Sequence, residues 1–222
     1  MNERRRLPKP RRPGRPAEPP GDLRERLLDS ALACFARASI ASTSLATIAR
    51  QAGVTPALVH YYFDDKPALV QAVVQERVLP ATAGLREAIG APAGDVGALV
   101  AGFVAGIHAV VARHPWLPAL WVREILTEGG ALRAVMLEQV APDIPGALAA
   151  RLAAAQARGE LAADLDPRLT VVSLIGLTLF PLAAESLWRQ FLDADDIDDA
   201  RLQSHTLALL RHGLEVPHAP SS

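Results

Sequence analysis

The sequence predicts an all-α protein of about nine helices, with a short three-helix unit near the N-terminus and a larger helical body after it. Three observations carry that expectation. Apolar residues recur at spacings of three and four, as in Leu23, Leu27, Leu28, Ala31 and Phe35, which marks one buried helix face. No stretch shows the period-two alternation of a half-buried strand. The periodic runs are separated by punctuation such as GAPAGD, HPWLP, APDIPG and DADDIDD, the composition of helix ends and turns.

Residues 1–20, MNERRRLPKPRRPGRPAEPP, hold six of the 18 prolines and almost nothing apolar. Such a segment buries too little surface to offset its ordering entropy, so a disordered arm is expected. It carries seven bases and two acids, whereas the remainder carries sixteen bases and twenty-two acids. A basic arm on an acidic body suggests a polyanionic partner for the arm.

Helical periodicity begins at Asp22. A second short helix is expected over residues 44–52, burying Leu45, Ile48 and Ala49, and Gly53 follows it where a helix C-cap favours glycine. Thr55 offers an N-cap hydroxyl and Pro56 suits the first helical position, so a third helix starts there. It is short, because Asp64 or Asp65 caps a fourth helix one turn later. The expected divisions are a three-helix unit at 21–66, a helical body at 67–215 and a flexible tail at 216–222.

Several function classes lose support. The chain has one cysteine, so an internal disulfide is excluded, and Cys34 sits at an apolar position suited to core packing. The run LTVVSLIGLTLFPLAA between Arg168 and Glu185 is shorter than the roughly 20 residues of a membrane span and contains Pro181. No apolar segment follows the charged N-terminus as in a signal peptide. A soluble, cytoplasmic protein with no membrane attachment is expected. His60, His108, His114, His205, His212 and His218 fall at no recognised metal spacing, and no Gly-rich phosphate loop, nucleophile elbow or HExxH motif occurs. Neither catalysis nor a cofactor is expected.

The stretch GVTPALVHYYFDDK, residues 53–66, contains both tyrosines of the chain, Tyr61 and Tyr62. Two short helices joined by a turn at Gly53 describe a helix-turn-helix. In that motif the second helix enters the DNA major groove and its N-terminal residues meet base edges. Pro56, Ala57 and His60 are then the candidate base contacts, with Leu58, Val59 and Phe63 facing inward. Pro56 and Ala57 offer only van der Waals contact, for example to a thymine methyl, so His60 is the candidate for hydrogen-bonded readout. Tyr61 and Tyr62 fall at the rim, where a phenol can donate to a phosphate. The alternative is that the two tyrosines cap an edge of the core.

The longer segment TSLATIARQAGVTPALVHYYFDDKPAL resembles the DNA-binding signature of the TetR/AcrR family of bacterial transcriptional regulators. Thr43, Ile48-Ala49, Ala52-Gly53-Val54, Thr55, Tyr61-Tyr62-Phe63, Lys66 and Leu69 carry the resemblance, within a match running from about residue 23 to 69. It implies an N-terminal helix-turn-helix DNA-binding domain and a larger C-terminal domain for ligand binding and dimerisation. It also implies a homodimer that binds a palindromic double-stranded DNA operator, usually represses, and is released by a small-molecule effector. Residue by residue, it assigns phosphate contacts to Thr43 and Ser44 at the start of the second helix, to Thr55, Tyr61 and Tyr62 on the third, and to Lys66 at the start of the fourth. One departure is local: Ser39 and Ile40 stand where such sequences carry a glycine and then an aromatic residue, so the first helix is expected to end differently.

Residues 21–66 carry five bases and five acids, an awkward balance for binding a polyanion. The arm compensates. Its RRPGRP, residues 11–16, resembles the Gly-Arg-Pro core of AT-hook segments, which implies minor-groove contacts from Arg11, Arg12 and Arg15. Looser attraction to phosphates is the alternative. In the body, HPWLPALWVREI concentrates His114, Trp116, Trp121, Arg123 and Glu124, with His108 shortly before. Trp116, Trp121, His108, Arg123 and Glu124 are the expected walls and anchors of a pocket for an apolar or amphipathic ligand. Residues 169–192 are apolar nearly all round, so a helix there must be buried on two sides. Together with a last helix at 197–213, the resemblance implies a four-helix dimer interface, drawn here from Leu174, Leu177, Phe180, Leu187, Trp188, Leu207 and Leu210.

Overall fold

The computed structural model describes residues 20–90 and 94–214. Arg11, Arg12 and Arg15 of the arm and the tail at 216–222 lie outside the described residues. Within them, all regular structure is helical.

The first unit comprises α1 (Pro20–Arg37), α2 (Leu45–Ala52), α3 (Pro56–Phe63) and α4 (Lys66–Val73). The periodic face of α1 puts Leu27, Leu28, Ala31 and Phe35 at full burial, with Cys34 beside them. Burying each larger side chain contributes about 1.5–3 kcal/mol. The Ser44 hydroxyl accepts from the Thr47 N–H at 3.1 Å to open α2, and Gly53 closes it at φ 68°, ψ 33°, a conformation that favours glycine. Thr55 takes the extended N-cap position of α3, but its side chain makes no cap bond. Asp65, rather than Asp64, caps α4 by accepting from the Ala68 N–H at 2.8 Å.

The α1–α2 turn does end differently from a glycine cap. Ser39 is not among the positive-φ residues of the described chain. Instead its carbonyl accepts from both the N–H and the hydroxyl of Thr43, at 3.1 and 2.9 Å, and its hydroxyl accepts from the Ser42 N–H at 3.0 Å. Side-chain bonds thus replace a left-handed residue.

In the body, α4 runs through a π-helical turn, Val74–Val78, into α5 (Leu79–Ala81). Then come α6 (Ala83–Gly90), α7 (Val96–Arg113) and α8 (Leu117–Trp121), the last continuing as a π turn at Val122–Leu126. After α9 (Arg133–Val135), π turns at Met136–Val140 and Pro142–Gly146 lead to α10 (Ala147–Ala157). The chain ends through α11 (Pro167–Ala183), α12 (Glu185–Leu192) and α13 (Asp199–Leu214). These segments outnumber the nine expected, because π turns and prolines divide rods that look continuous in the sequence. The apolar stretch at 169–192 is such a case: α11 and α12 meet at a bend of 74° at Ala184, three residues beyond Pro181.

α7 departs from another expectation. By length and composition it is apolar enough to cross a membrane, with a mean hydropathy of 1.8. Here it is the central helix of the body, packing on α6, α11 and α13 with Leu99, Val100, Phe103, Val104, Ile107 and Val110 buried.

Two apolar cores result. The first collects α1 to α4 but extends past residue 66, taking in Leu69, Val73 and Val74 and also Leu120 and Leu132. The second is centred on α7, α10 and α11. Ion pairs lock α1 to the helix leaving the first unit. Arg24 donates to both oxygens of Glu76 at 2.5 and 2.7 Å, and Arg77 reaches Glu25 at 2.6 Å and Asp29 at 2.7 Å. The Arg24 guanidinium also lies over the Phe63 ring, 5.2 Å from its centroid.

Hydrogen bonding and charge from Arg24 hold the Glu76 carboxyl below its ordinary range, against the opposing effect of desolvation. A carboxyl whose pKa is lower in the folded than in the unfolded chain stabilises the fold above the unfolded value. That contribution is lost as pH falls through the folded one. The pair is about a third exposed, so its contribution is small. In urea titrations, Glu76→Gln is expected to be less stable than the parent by about 0.5–1 kcal/mol near neutral pH. The two curves should begin to converge as pH falls below about 4, the range of an unperturbed glutamate, and meet only below the depressed value of folded Glu76.

Candidate nucleic-acid interface and cavity

α3 is held by two anchors, Val59 and Phe63, both buried in the first core, while Leu58 is half-buried. That orientation leaves Thr55, Pro56, Ala57, His60 and Tyr61 exposed. Tyr61 is 79% exposed, whereas Tyr62 packs against the core with its ring edge-on to Tyr61 at 5.2 Å. The two tyrosines therefore differ: the Tyr62 ring lies partly buried on the core, and Tyr61 stands clear of it. The His60 ring is also fixed, its Nδ1 lying 2.6 Å from the Asp64 carbonyl oxygen.

Among the other candidates, Ser44 is exposed at the start of α2. Thr43 corrects an expectation. It is 4% exposed and its hydroxyl is spent on the Ser39 carbonyl, so its side chain braces the turn instead of reaching a phosphate. Lys66 Nζ donates to the Ala41 carbonyl at 3.0 Å, tying the start of α4 to the loop before α2. Arg50 is exposed on α2; in the sequence it is one base among several, and nothing in its spacing singles it out.

The body holds a partly open cavity of about 120 Å³ bordered by Phe103, Ile107, Trp116, Trp121, Ile125 and Leu179, among others. Each of the four π turns supplies part of its wall, through Val78, Ile125, Met136 and Ile144, and such turns are frequent at functional sites. Thr82 also borders it, its hydroxyl donating to the Leu79 carbonyl at 2.8 Å. Of the five pocket residues expected, Trp116 and Trp121 border this cavity and three do not. His108 is buried against α13, its Nδ1 2.7 Å from the Asp199 carboxylate. Arg123 points to solvent. Glu124 is 2% exposed and serves elsewhere. Charged residues caught attention in the sequence, but the cavity is walled by aliphatic and aromatic side chains that carry no individual signal.

Known proteins share both the sequence and the architecture. The family model for bacterial regulatory proteins of the tetR family matches residues 27–73. The HTH-type transcriptional regulator UidR of Escherichia coli (strain K12) is 30% identical over 172 residues, covering 75% of this chain and 85% of UidR. The chain belongs to the TetR family. GusR of Salmonella enterica superposes with a TM-score of 0.57 at 28% identity, over 90% of this chain and 98% of GusR. The fold is also that of FadR from Bacillus subtilis, solved with stearoyl-CoA, with a TM-score of 0.64 at 20% identity over 86% of this chain and 99% of FadR. α1 to α3 are therefore the helix-turn-helix unit of a TetR-family transcriptional regulator.

In this TetR-family chain, Glu124 joins the two units. Its Oε1 accepts from the Ile40 N–H at 2.7 Å, in the α1–α2 turn, and its Oε2 from the Ala131 N–H at 3.1 Å. Its own carbonyl accepts from the Leu132 N–H at 3.1 Å. Gly130 makes this possible by close approach, since a Cβ there would lie 2.3 Å from the Glu124 carbonyl oxygen.

The apolar faces of the last three helices also differ from expectation. Leu174 and Leu210 are buried in the second core, Leu207 packs against it, and Trp188 is half-buried with its Nε1 donating to the Pro181 carbonyl at 2.8 Å. None of these four is an open apolar contact. Leu177, Phe180 and Leu187 are exposed on this chain, joined by Leu169, Val172, Phe191 and Leu209. Residues 169, 172, 177 and 180 form one stripe along α11. An all-round apolar helix cannot announce which side faces inward; packing on α7 selected Leu174.

Removing the Glu124 carboxylate leaves two backbone donors unpaired, at about 1–3 kcal/mol each. Glu124→Ala is therefore expected to lower the unfolding free energy by about 2–5 kcal/mol in urea. Gly130→Ala should also destabilise by forcing the Glu124 backbone away. A loss below about 1 kcal/mol for Glu124→Ala would show that water replaces the carboxylate at this joint.

Proposed function

We propose that two copies of this regulator bind a palindromic operator. The α3 helix of each enters a major groove, and an apolar effector in the cavity releases the complex. The observation that carries the proposal is the exposed set Thr55, Pro56, Ala57, His60 and Tyr61 on a helix anchored by buried Val59 and Phe63. Pro56, Ala57 and His60 meet base edges, while Ser44, Thr55, Tyr61, Tyr62 and Lys66 supply phosphate contacts. Arg11, Arg12 and Arg15 add charge from the arm, in the minor groove or along the phosphates. The exposed stripe of α11, with Leu187 and Leu209, is the surface for the second copy, because an apolar patch of this extent favours burial.

The cavity favours an uncharged effector. Its lining is almost wholly apolar and holds no charged residue, and burying an unpaired charge there would cost several kcal/mol. Its size is close to that of cavities that bind benzene, at about 150 Å³. A larger effector must spread the walls, including Ile125. Glu124, the preceding residue, would carry that shift to Ile40 and the α1–α2 turn. Release then follows as a shift in population toward a form whose two α3 helices no longer match successive grooves.

The central experiment is selection of an operator from random duplexes, followed by anisotropy titration. His60→Ala with Tyr61→Ala is expected to weaken binding by at least tenfold while the far-ultraviolet circular dichroism is unchanged. Unchanged affinity would overturn the assignment of α3. A chain beginning at Gly21 should keep the operator preference with weaker binding and a shallower salt dependence, losing about 0.9 from the log–log slope for each phosphate contact removed. Phe180→Asp should give a monomer by light scattering. Toluene should raise the melting temperature and benzoate should not, with Leu179→Trp abolishing the toluene effect.

A further inference from the structure

His60 is held in one tautomer by an unusual turn. At the end of α3, Asp64 adopts φ 51°, ψ −63°, and the Asp65 N–H donates across it to the Phe63 carbonyl at 2.5 Å. This is a γ-turn with positive φ at its centre, the rarer and more strained form. The turn is closed from both sides by His60. The Asp64 N–H donates to the His60 carbonyl at 2.9 Å, and the Asp64 carbonyl meets the His60 ring at Nδ1, 2.6 Å away. A carbonyl oxygen has no proton to give, so Nδ1 carries the hydrogen and donates it. A neutral imidazole has a single N–H, which leaves Nε2 as a bare acceptor.

We infer that His60 reads the exocyclic amino group of an adenine or a cytosine, accepting a hydrogen bond at Nε2. In the major groove the hydrogen-bond donors are the N6 amino group of adenine and the N4 amino group of cytosine, whereas guanine and thymine present acceptors. The Asp64 turn therefore sets the polarity of the readout. With its single hydrogen on Nδ1, the neutral ring accepts from adenine or cytosine and has nothing to donate to guanine N7 or O6. Asp64 acts as a positioning residue, through its backbone. The inference rests on the reading that α3 lies in the major groove.

The test uses the full chain and an operator selected from random duplexes. The base pair read by His60 is the one whose preference disappears in His60→Ala. At that pair, one duplex carries a base lacking the exocyclic amino group, purine for adenine or pyrimidin-2-one for cytosine. A second carries a 7-deazapurine, which lacks the N7 acceptor. Deleting the amino group is expected to weaken the parent protein about three- to tenfold and leave His60→Ala unaffected, while the 7-deaza duplex binds normally. The reverse pattern, with N7 required and the amino group dispensable, overturns the inference by showing a donating Nε2. So does retained preference at every position in His60→Ala while the protein still selects a sequence; in that case DNA recognition by α3 stands and the role of His60 falls. Failure of a folded dimer to select any sequence removes the major-groove reading and this inference with it.

Discussion

Glu124 is the buried contact that ties the first unit of this regulator to its body. A buried carboxylate carries a desolvation penalty of several kcal/mol, and here backbone donors from two distant parts of the chain offset it: Ile40 in the α1–α2 turn and Ala131 after the π turn. The turn that starts the helix-turn-helix and the helix that walls the cavity cannot move independently without stripping a buried carboxylate of a donor or orphaning an amide. Leu120 and Leu132, packed into the first core, surround the same joint with apolar contact. The chain thus has two cores but a shared boundary.

The charge distribution of the first unit gains meaning from its pairing. Arg24 and Arg77 are engaged by Glu76, Glu25 and Asp29, so their charge is directed to holding α1 against the helix that leaves the unit. Arg24 also covers the Phe63 ring, which connects that ion pair to the end of α3. The bases left for other roles in the first unit include Arg37 and Arg50, both exposed, and Lys66, which is half-buried. This balance is consistent with a role for the basic arm in attracting DNA.

Much of the first unit was legible in the sequence because local rules decide it. Gly53 at a left-handed cap, Pro56 at a first helical position and Asp65 as an N-cap each depend on neighbours within four residues. The Val59 and Phe63 anchors follow from helical period. Thr43 was misread because its hydroxyl has two possible uses, and only the path of the α1–α2 turn reveals that the Ser39 carbonyl is within reach. Tyr61 and Tyr62 look equivalent in the sequence; the axis of α3 relative to α1 and α2 separates them.

The sequence by itself determined the helical class, the helix-turn-helix and the family, because period, caps and a long ordered motif are properties of adjacent residues. The tertiary structure alone decided which sides of α11 and α13 face inward, that Glu124 spans 84 residues to hold Ile40, and that His108 pins α13 instead of lining the cavity. It also decided that four π turns help to wall that cavity. The physical reason is common to all four. Each depends on how segments far apart in the chain pack, and a Leu, a buried carboxylate or a histidine has the same local signature whichever neighbour it finally meets.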